Sequence, residues 1–439
     1  MPDSREIVSA VLRSLRHRNF RLFTVGQSIS VVGTWMQQVA VGWLVYRLTD
    51  SALLLGLVAF AAQGPTFVLA PLAGAIADRA NRLQLLIAIQ SLMMLQALVL
   101  AALVLSGTVV IWHIVVLSAL LGCLSGFDIP VRQSFLVELV EGKEDLSNAI
   151  ALNSSMFNAA RLIGPAIAGV LIPLVGEGMC ILINGLSYSA VLAALLAMRI
   201  RPRAQLDQHE PMLHQIRESF RYAFTFPPIR AVLLLVALAS LFAVPFSALL
   251  PIFAGHVLDG DARTLGLLVS ATGAGALMAA LYLASRTSVR GLSKVITYSA
   301  TMFGASLLLF ALSRWLWISI LTLVLAGFGM MLLMAASNTF LQTVVEDDKR
   351  GRILSLYTMA YIGTAPLGSL LLGVAAQRLG APVTIAIGAI ICLLGAAAFG
   401  RHLPDFRAQV RPIYRAMGII PEVATGIQAA THTRTTEET

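Results

Sequence analysis

Ala52-Leu-Leu-Leu-Gly-Leu-Val-Ala-Phe-Ala-Ala-Gln63-Gly-Pro-Thr-Phe-Val-Leu-Ala-Pro-Leu-Ala-Gly74-Ala-Ile-Ala77 contains no charged residue. Asp78-Arg79-Ala-Asn-Arg82 interrupts it, and a second uncharged run, Leu83 to Leu105, follows at once. A helix rises about 1.5 Å per residue, so about 20 apolar residues cross the ~30 Å hydrocarbon core of a bilayer. Both runs are long enough. The pair reads as two membrane-spanning helices joined by a short charged loop, and the rest of the chain repeats this pattern.

Composition agrees. Of 439 residues, 58% are hydrophobic and 12% charged, with a mean hydropathy of +0.83. A soluble domain carries about 25% charged residues, and a chain this poor in charge lacks the polar surface to face water. The net charge of +9 does not point to nucleic acid, because the basic residues sit in short loops between apolar runs, without interleaved aromatics. Cys123, Cys180 and Cys392 all fall in apolar runs; they read as small packing residues, and no metal-ligand spacing exists. Met1 to Arg21 lacks the apolar core and cleavage site of a signal peptide, which leaves targeting to the first helix.

The apolar runs predict an all-α membrane protein of twelve transmembrane helices, over 20–46, 52–77, 83–105, 109–131, 148–175, 178–198, 230–256, 264–285, 293–313, 315–337, 353–377 and 382–400. Lys and Arg distribute unequally across them. Arg47, Arg263, Arg314 and Arg378 fall on one side, Arg161 lies within the fifth span, and all the others of the 31 fall on the opposite side. Basic residues accumulate in the cytoplasm. Both termini are therefore expected inside, in a bacterial cytoplasmic membrane.

The longest polar stretch, Arg199 to Arg230, divides the chain into six helices plus six. The expected units are a cytoplasmic arm (1–19), a first six-helix bundle (20–198), a linker (199–229), a second bundle (230–400) and a polar, loosely ordered tail (401–439). Met212, Ile216, Phe220 and Phe224 recur every fourth residue in the linker; this reads either as an amphipathic helix on the cytoplasmic surface or as solvated linker. The two halves look weakly repeated. Phe135-Leu-Val-Glu-Leu-Val-Glu141 follows the fourth span and Phe340-Leu-Gln-Thr-Val-Val-Glu346 the tenth; small-Pro steps follow at Gly164-Pro165 and Ala365-Pro366. Such a repeat implies two bundles with a site between them.

Gly74-Ala-Ile-Ala-Asp78-Arg79-Ala-Asn-Arg82 resembles the G-x-x-x-D-R-x-G-R signature of the major facilitator superfamily. Asn81 replaces the usual Gly, and Asn also tolerates the left-handed conformation of a tight turn. Ser30-Val-Val-Gly-Thr-Trp-Met-Gln37, Phe127-Asp-Ile-Pro-Val-Arg-Gln-Ser134 and Arg161-Leu-Ile-Gly-Pro-Ala-Ile-Ala-Gly169 are similar to the bacterial exporter branch typified by enterobactin exporters. Gly164, Pro165 and Gly169 also resemble an antiporter motif of the fifth helix. Drug antiporters often carry an Arg four residues before Gly122, where this chain has Ser118. The resemblance implies alternating access, export of a small molecule, and a gating role for Gly74, Asp78, Arg79 and Arg82, which in the family links the halves on the cytoplasmic side; Glu138 is the candidate acidic partner of Arg79 or Arg82.

Asp128 is the one acidic residue well inside a predicted span, about three residues from its cytoplasmic end. Intramembrane charges are costly and usually functional. Arg132 lies one turn further on the same face and fits as its partner. A structural latch and a proton-coupling site both suit this pair. Arg161, near the middle of its span, needs a partner or a wet cavity; it fits a central cavity with Asn158, Gln37, Gln63 and Trp35. The alternative is an arginine held by backbone carbonyls. Tyr298, Asn338, Gln342, Tyr357 and Tyr361 are second-half counterparts. His113, at the outer end of the fourth span, reads as a satisfied interfacial residue.

No cofactor motif exists. Gly142-Lys143 is followed by Glu144 and lacks the spacing of a phosphate loop, so ATP does not drive this chain. The expected partners are a small-molecule substrate, protons and the lipid bilayer. The expected function is a proton-coupled secondary transporter exporting a small amphiphilic compound, siderophore-like or drug-like, with a proton-independent facilitator or importer of a small metabolite as the alternative and a membrane enzyme or receptor the remote one. The topology is directly testable. A reporter active only outside the cytoplasm, fused after Arg230 or at the C-terminus, stays silent; strong activity at either site rejects the assignment of both ends to the cytoplasm.

Overall fold

The computed structural model describes residues 13–77, 81–140, 142–198, 225–286 and 288–416; the expectations for Asp78, Arg79, the 199–224 linker and the tail beyond 416 lie outside them. The described residues form helices and no strand. They are α1 (Arg18–Thr49), α2 (Ala52–Ala77), α3 (Arg82–Leu105), α4 (Ile111–Glu138), α5 (Lys143–Leu196), α6 (Pro227–Phe242, continued to Val257), α7 (Ala262–Ala284), α8 (Leu292–Leu312), α9 (Leu316–Val344), α10 (Asp347–Leu379), α11 (Ala381–Arg401) and α12 (Leu403–Ala416). Among them, ten stretches are long and apolar enough to cross a membrane.

α1 is not one of the ten. Three of its polar residues point inward: Gln27, Ser30 and Gln37 are buried. A helix at membrane depth turns amides and hydroxyls toward its neighbours because lipid offers them no partner. The opposite faces carry the apolar surface. Val116, Leu174, Leu281 and Leu321 are more than 60% exposed, which suits a hydrocarbon solvent. Trp112, Trp315 and Trp317 are exposed at the starts of α4 and α9, as anchors at one membrane–water interface.

α5 spans 54 residues, about 80 Å if straight and more than twice a bilayer core. It is not straight. Gly176 has φ 83° and ψ 166°, a conformation essentially confined to glycine. The first limb runs parallel to α1: Asp145 meets His17, and Gly164 meets Trp35. The second runs antiparallel: Glu177 binds Arg47, Asn184 binds Gln37, and Ala190 touches Gly26. The chain therefore reverses at Gly176.

Two seams join the first half to the second, on the side of the molecule where Gly176 lies. In one, α2 packs on α10. A Cβ at Gly56 would sit 2.4 Å from the Ser369 carbonyl oxygen and 3.0 Å from Gly373 Cα. In the other, the first limb of α5 packs on α7. A Cβ at Gly266 would sit 2.6 Å from Gly169 Cα, and one at Gly273 would meet the Arg161 carbonyl oxygen at 2.7 Å. Such backbone contact, allowed by small residues, is how helices associate in lipid, where apolar side chains gain nothing from leaving solvent. Ser51 and the Leu53 amide add hydrogen bonds to Gln377.

Several local expectations change. Phe135 and Phe340 lie within α4 and α9 rather than after them, both wholly buried. The apolar runs mark only the membrane-embedded part of helices that continue into water. The spans 230–256 and 353–377 are not regular. π-helical turns at Phe253–Val257 and Met359–Gly363 interrupt them, near Pro251 and Pro366, whose missing N–H loosens the ladder. The first part of the tail is not loose: Leu403–Ala416 is a helix with Phe406, Val410 and Tyr414 buried. Asn81 is not left-handed. At φ −68° it caps α3, its side chain accepting from the Leu83 and Gln84 amides, as an N-cap asparagine does.

The seam makes a prediction. A Ser51→Cys/Gln377→Cys pair forms a disulfide on mild oxidation. Adding Gly56→Val lowers its yield at least about fivefold, the population change produced by about 1 kcal/mol of overpacking. An unchanged yield would mean that backbone contact does not hold this seam.

Candidate functional site

A buried polar network fills the middle of the first half. Asp128 on α4 is 4% exposed. One carboxylate oxygen accepts from Gln90 Nε2 of α3 at 2.7 Å, and the other pairs with Arg132, one turn along α4, at 3.1 Å. The Arg132 guanidinium in turn lies 4.7 Å from the centroid of the Phe157 ring on α5, a cation–π contact. An unpaired carboxylate here would cost several kcal/mol, so each oxygen has a donor. α4 continues to Glu138, which puts Asp128 ten residues, not three, from its helix end.

Tyr188, on the second limb of α5, extends the network. Its hydroxyl lies beside Thr34 and Asn184, with Asp128 and Arg132 close enough to act on it electrostatically. Asn184 donates to Gln37 at 2.6 Å. Gln37 is thereby turned into the interior of the first half, not into a space between halves. Gly33 makes room, since a Cβ there would sit 2.6 Å from Asn184 Oδ1.

A second cluster forms between the halves. The Arg161 guanidinium lies 5.5 Å from the Trp35 ring centroid, within electrostatic reach of Tyr361, which belongs to the π-helical turn of α10. No carboxylate among the described residues pairs with Arg161. Tyr361 stacks loosely on Tyr357, at 6.3 Å between centroids, and Tyr357 donates to the Met334 carbonyl of α9. Gln63 is exposed. It is seven residues from Gly56 and four from Phe67, so it shares their face of α2, and that face packs on Gly373 and Gly363 of α10. Gln63 therefore opens onto the space between the halves. Asn158, one turn before Arg161, donates back to the Ser154 carbonyl. Gly164 abuts Trp35, and Pro165 and Gly169 form the seam with Gly266. Asn338 and Gln342 bind each other on α9. Tyr298 does not join the cluster. It is 70% exposed on the face of α8 opposite buried Phe303.

The ends of the helices carry paired charges. Arg82 binds Glu138 at 2.5 Å, tying the start of α3 to the end of α4. Gly74 lies in the last turn of α2, beside Asp78 and Arg79, which are outside the described residues. His17 and Arg13 hold Asp145 at the start of α5. On the Gly176 side, Arg47 clasps Glu177 through Nε and one terminal nitrogen. His256 pairs with Asp50 at 3.1 Å across the halves, edge-on to Tyr46. His113 accepts from the Val110 amide. The sequence offered no signal for Gln90, Tyr188 or the Asp50–His256 pair, since each depends on a distant element. The π turn next to the Pro366 step is the one such feature with a local trace.

Comparison with known proteins agrees with this architecture. Residues 9–424 match the transmembrane secretion effector family. The staphyloferrin A transporter of Staphylococcus aureus is 27% identical over 82% of this chain and 91% of its own length. The multidrug efflux pump Tap of Mycolicibacterium fortuitum is 24% identical over 85% of this chain and 93% of that protein. Among solved structures, a bacterial homologue of the human lysosomal transporter Spinster, inward-facing and unoccupied, superposes with a TM-score of 0.69, covering 90% of this chain and 98% of that one; at 14% identity that likeness is one of fold. These relatives are transporters, not enzymes. The chain is a multi-pass membrane protein and belongs to the transmembrane secretion effector family of major facilitator transporters.

Proposed function

We propose that the protein exports a small amphiphilic compound, siderophore-like or drug-like, in exchange for protons, by alternating access. Counting α1 and both limbs of α5 as crossings gives twelve, arranged as bundles over 20–198 and 230–400 with both termini cytoplasmic. The Arg82–Glu138 side is then the cytoplasmic side, where the basic loops gather, and the glycine seams close the outer side. In this state the space beside Trp35, Arg161, Gln63 and Tyr361 faces the cytoplasm.

The substrate class rests on two supports. Relatives include a staphyloferrin A transporter and multidrug and macrolide efflux proteins. Arg161, stacked on Trp35 and without a carboxylate partner among the described residues, suits a compound that offers both an apolar or aromatic surface and an anionic group.

The observation that carries the coupling is Asp128, buried and held by Gln90 and Arg132. Arg cannot release its proton at accessible pH, and His256 sits at the outer end rather than in the middle. A proton on Asp128 would discharge the ion pair and free Arg132, so that protonation changes what α4 holds. The Arg132 pairing also favours a second reading, in which Asp128 is a permanent structural latch and the protein is a proton-independent facilitator or importer.

Asp128→Asn separates these. In reconstituted vesicles the variant loses pH-driven uphill efflux but keeps substrate counterflow, because the cavity at Arg161 is intact. Loss of both activities together assigns Asp128 to the latch. Uphill, proton-dependent transport by the variant excludes it as the coupling site.

A further inference from the structure

α12 places two stripes side by side. Phe406, Val410 and Tyr414, four residues apart, are buried beneath the second half. Phe406 packs against Phe340 at the end of α9 and Phe399 at the end of α11. Arg407 and Arg411 each follow one residue later and are exposed, which sets them along the edge of the apolar stripe. Between this edge and the start of α8 lies a groove of about 390 Å³ whose floor includes Phe340, Phe406 and Val410, and whose rim carries Arg290, Arg407 and Arg411. Among the described residues, no acidic side chain lines it. Burial pushes the Tyr414 phenol up to about 12, so it stays neutral, and the charged side chains lining the groove among the described residues are all arginines. A hollow on the other side of α12 differs: it includes Asp405 with Arg230 and has no such bias.

The groove lies on the Arg82 side, because α7 runs away from the glycine seam and the loop after it leads to Arg290. It is therefore at the end of the membrane-spanning helices, level with lipid headgroups. Its volume falls in the ~300–1,000 Å³ range of small-ligand sites. An apolar floor under an arginine rim matches a molecule with an acyl chain and a phosphate, and basic pockets at this level bind anionic headgroups. A free phosphate would make no use of the floor.

We propose that this groove binds an anionic glycerophospholipid of the adjacent leaflet, its phosphate on Arg407 and Arg411 and an acyl chain against Phe340 and Phe406. The lipid would then bridge α12 and the start of α8.

Native mass spectrometry of the full chain in neutral detergent, titrated with phosphatidylglycerol or phosphatidylcholine, tests this. The parent retains phosphatidylglycerol in preference to phosphatidylcholine. Arg407→Gln/Arg411→Gln lowers the phosphatidylglycerol affinity about thirtyfold. Arg401→Gln/Arg415→Gln removes the same charge from exposed positions outside the groove and changes it less than about threefold. All four side chains are exposed, so both variants keep the parent's thermal unfolding midpoint. Equal retention of the two lipids, or equal loss in the two variants, overturns the groove and leaves only diffuse surface attraction. Competition by glycerol phosphate at matched concentration overturns the lipid assignment in favour of a bare anion site. The assay reads no transport, so its outcome is independent of the proton-coupling proposal.

Discussion

Backbone reaches backbone where α2 meets α10 and where α5 meets α7, because glycine stands on both partners of each contact: Gly56 with Gly373, and Gly169 with Gly266. The placement of the two halves depends on this. Helices surrounded by lipid are not driven together by burying apolar side chains, and they associate where shape permits close dispersion contact. The same contacts hold Arg161 of the first half within reach of Tyr361 of the second. Close packing on the Gly176 side and a central cluster are two consequences of one arrangement of helices.

The second constraint is the cost of polar groups where water is scarce. Asp128 is answered on both oxygens, and Gln37, Asn184 and Tyr188 answer one another through the heart of the first half. The two membrane-depth arginines contrast with each other. Arg132 is committed to Asp128 and Phe157. Arg161 has Trp35 and, among the described residues, no acid. The first arrangement is a closed internal circuit. The second leaves positive charge facing the space between the halves, where a ligand can complete it.

Irregular helix supplies the remaining positions. The π-helical turn at Met359–Gly363 carries Tyr361 and lets Gly363 receive the Phe67 ring; the one at Phe253–Val257 carries His256 to Asp50 and Gly255 to Tyr46. A regular helix would present these residues on a rotated face. Both turns occur close to proline, one within and one at the end of a long apolar run, and both lie at contacts between the halves. The backbone is irregular there because it is shielded by protein rather than exposed to lipid.

What was legible in the sequence follows from how local each property is. Hydrophobicity over about 20 residues is a property of one segment in one solvent, so the apolar helices, the Asp128–Arg132 pair at helical spacing and the solitary Arg161 could be read without a fold. The apolar runs stop at the membrane boundary while hydrogen-bonded helix continues beyond it, which is why α4 and α9 were read too short, and Asp128 too near its helix end. Polar residues in the tail hid a helix, because the period of Phe406, Val410 and Tyr414 has meaning only where Phe340 and Phe399 offer a surface. Asn81 was assigned to a tight turn, whereas α3 begins there and uses its side chain as a cap. By itself, then, the sequence determined the solvent, the helical class and which charges sit at membrane depth, because each is decided by a single segment's free energy in lipid. Which partner answers each charge was left to the tertiary structure: Gln90 on Asp128, Asn184 on Gln37, Trp35 under Arg161, His256 on Asp50. Those choices depend on which helix faces are brought together, and only the packing of all the helices at once decides that.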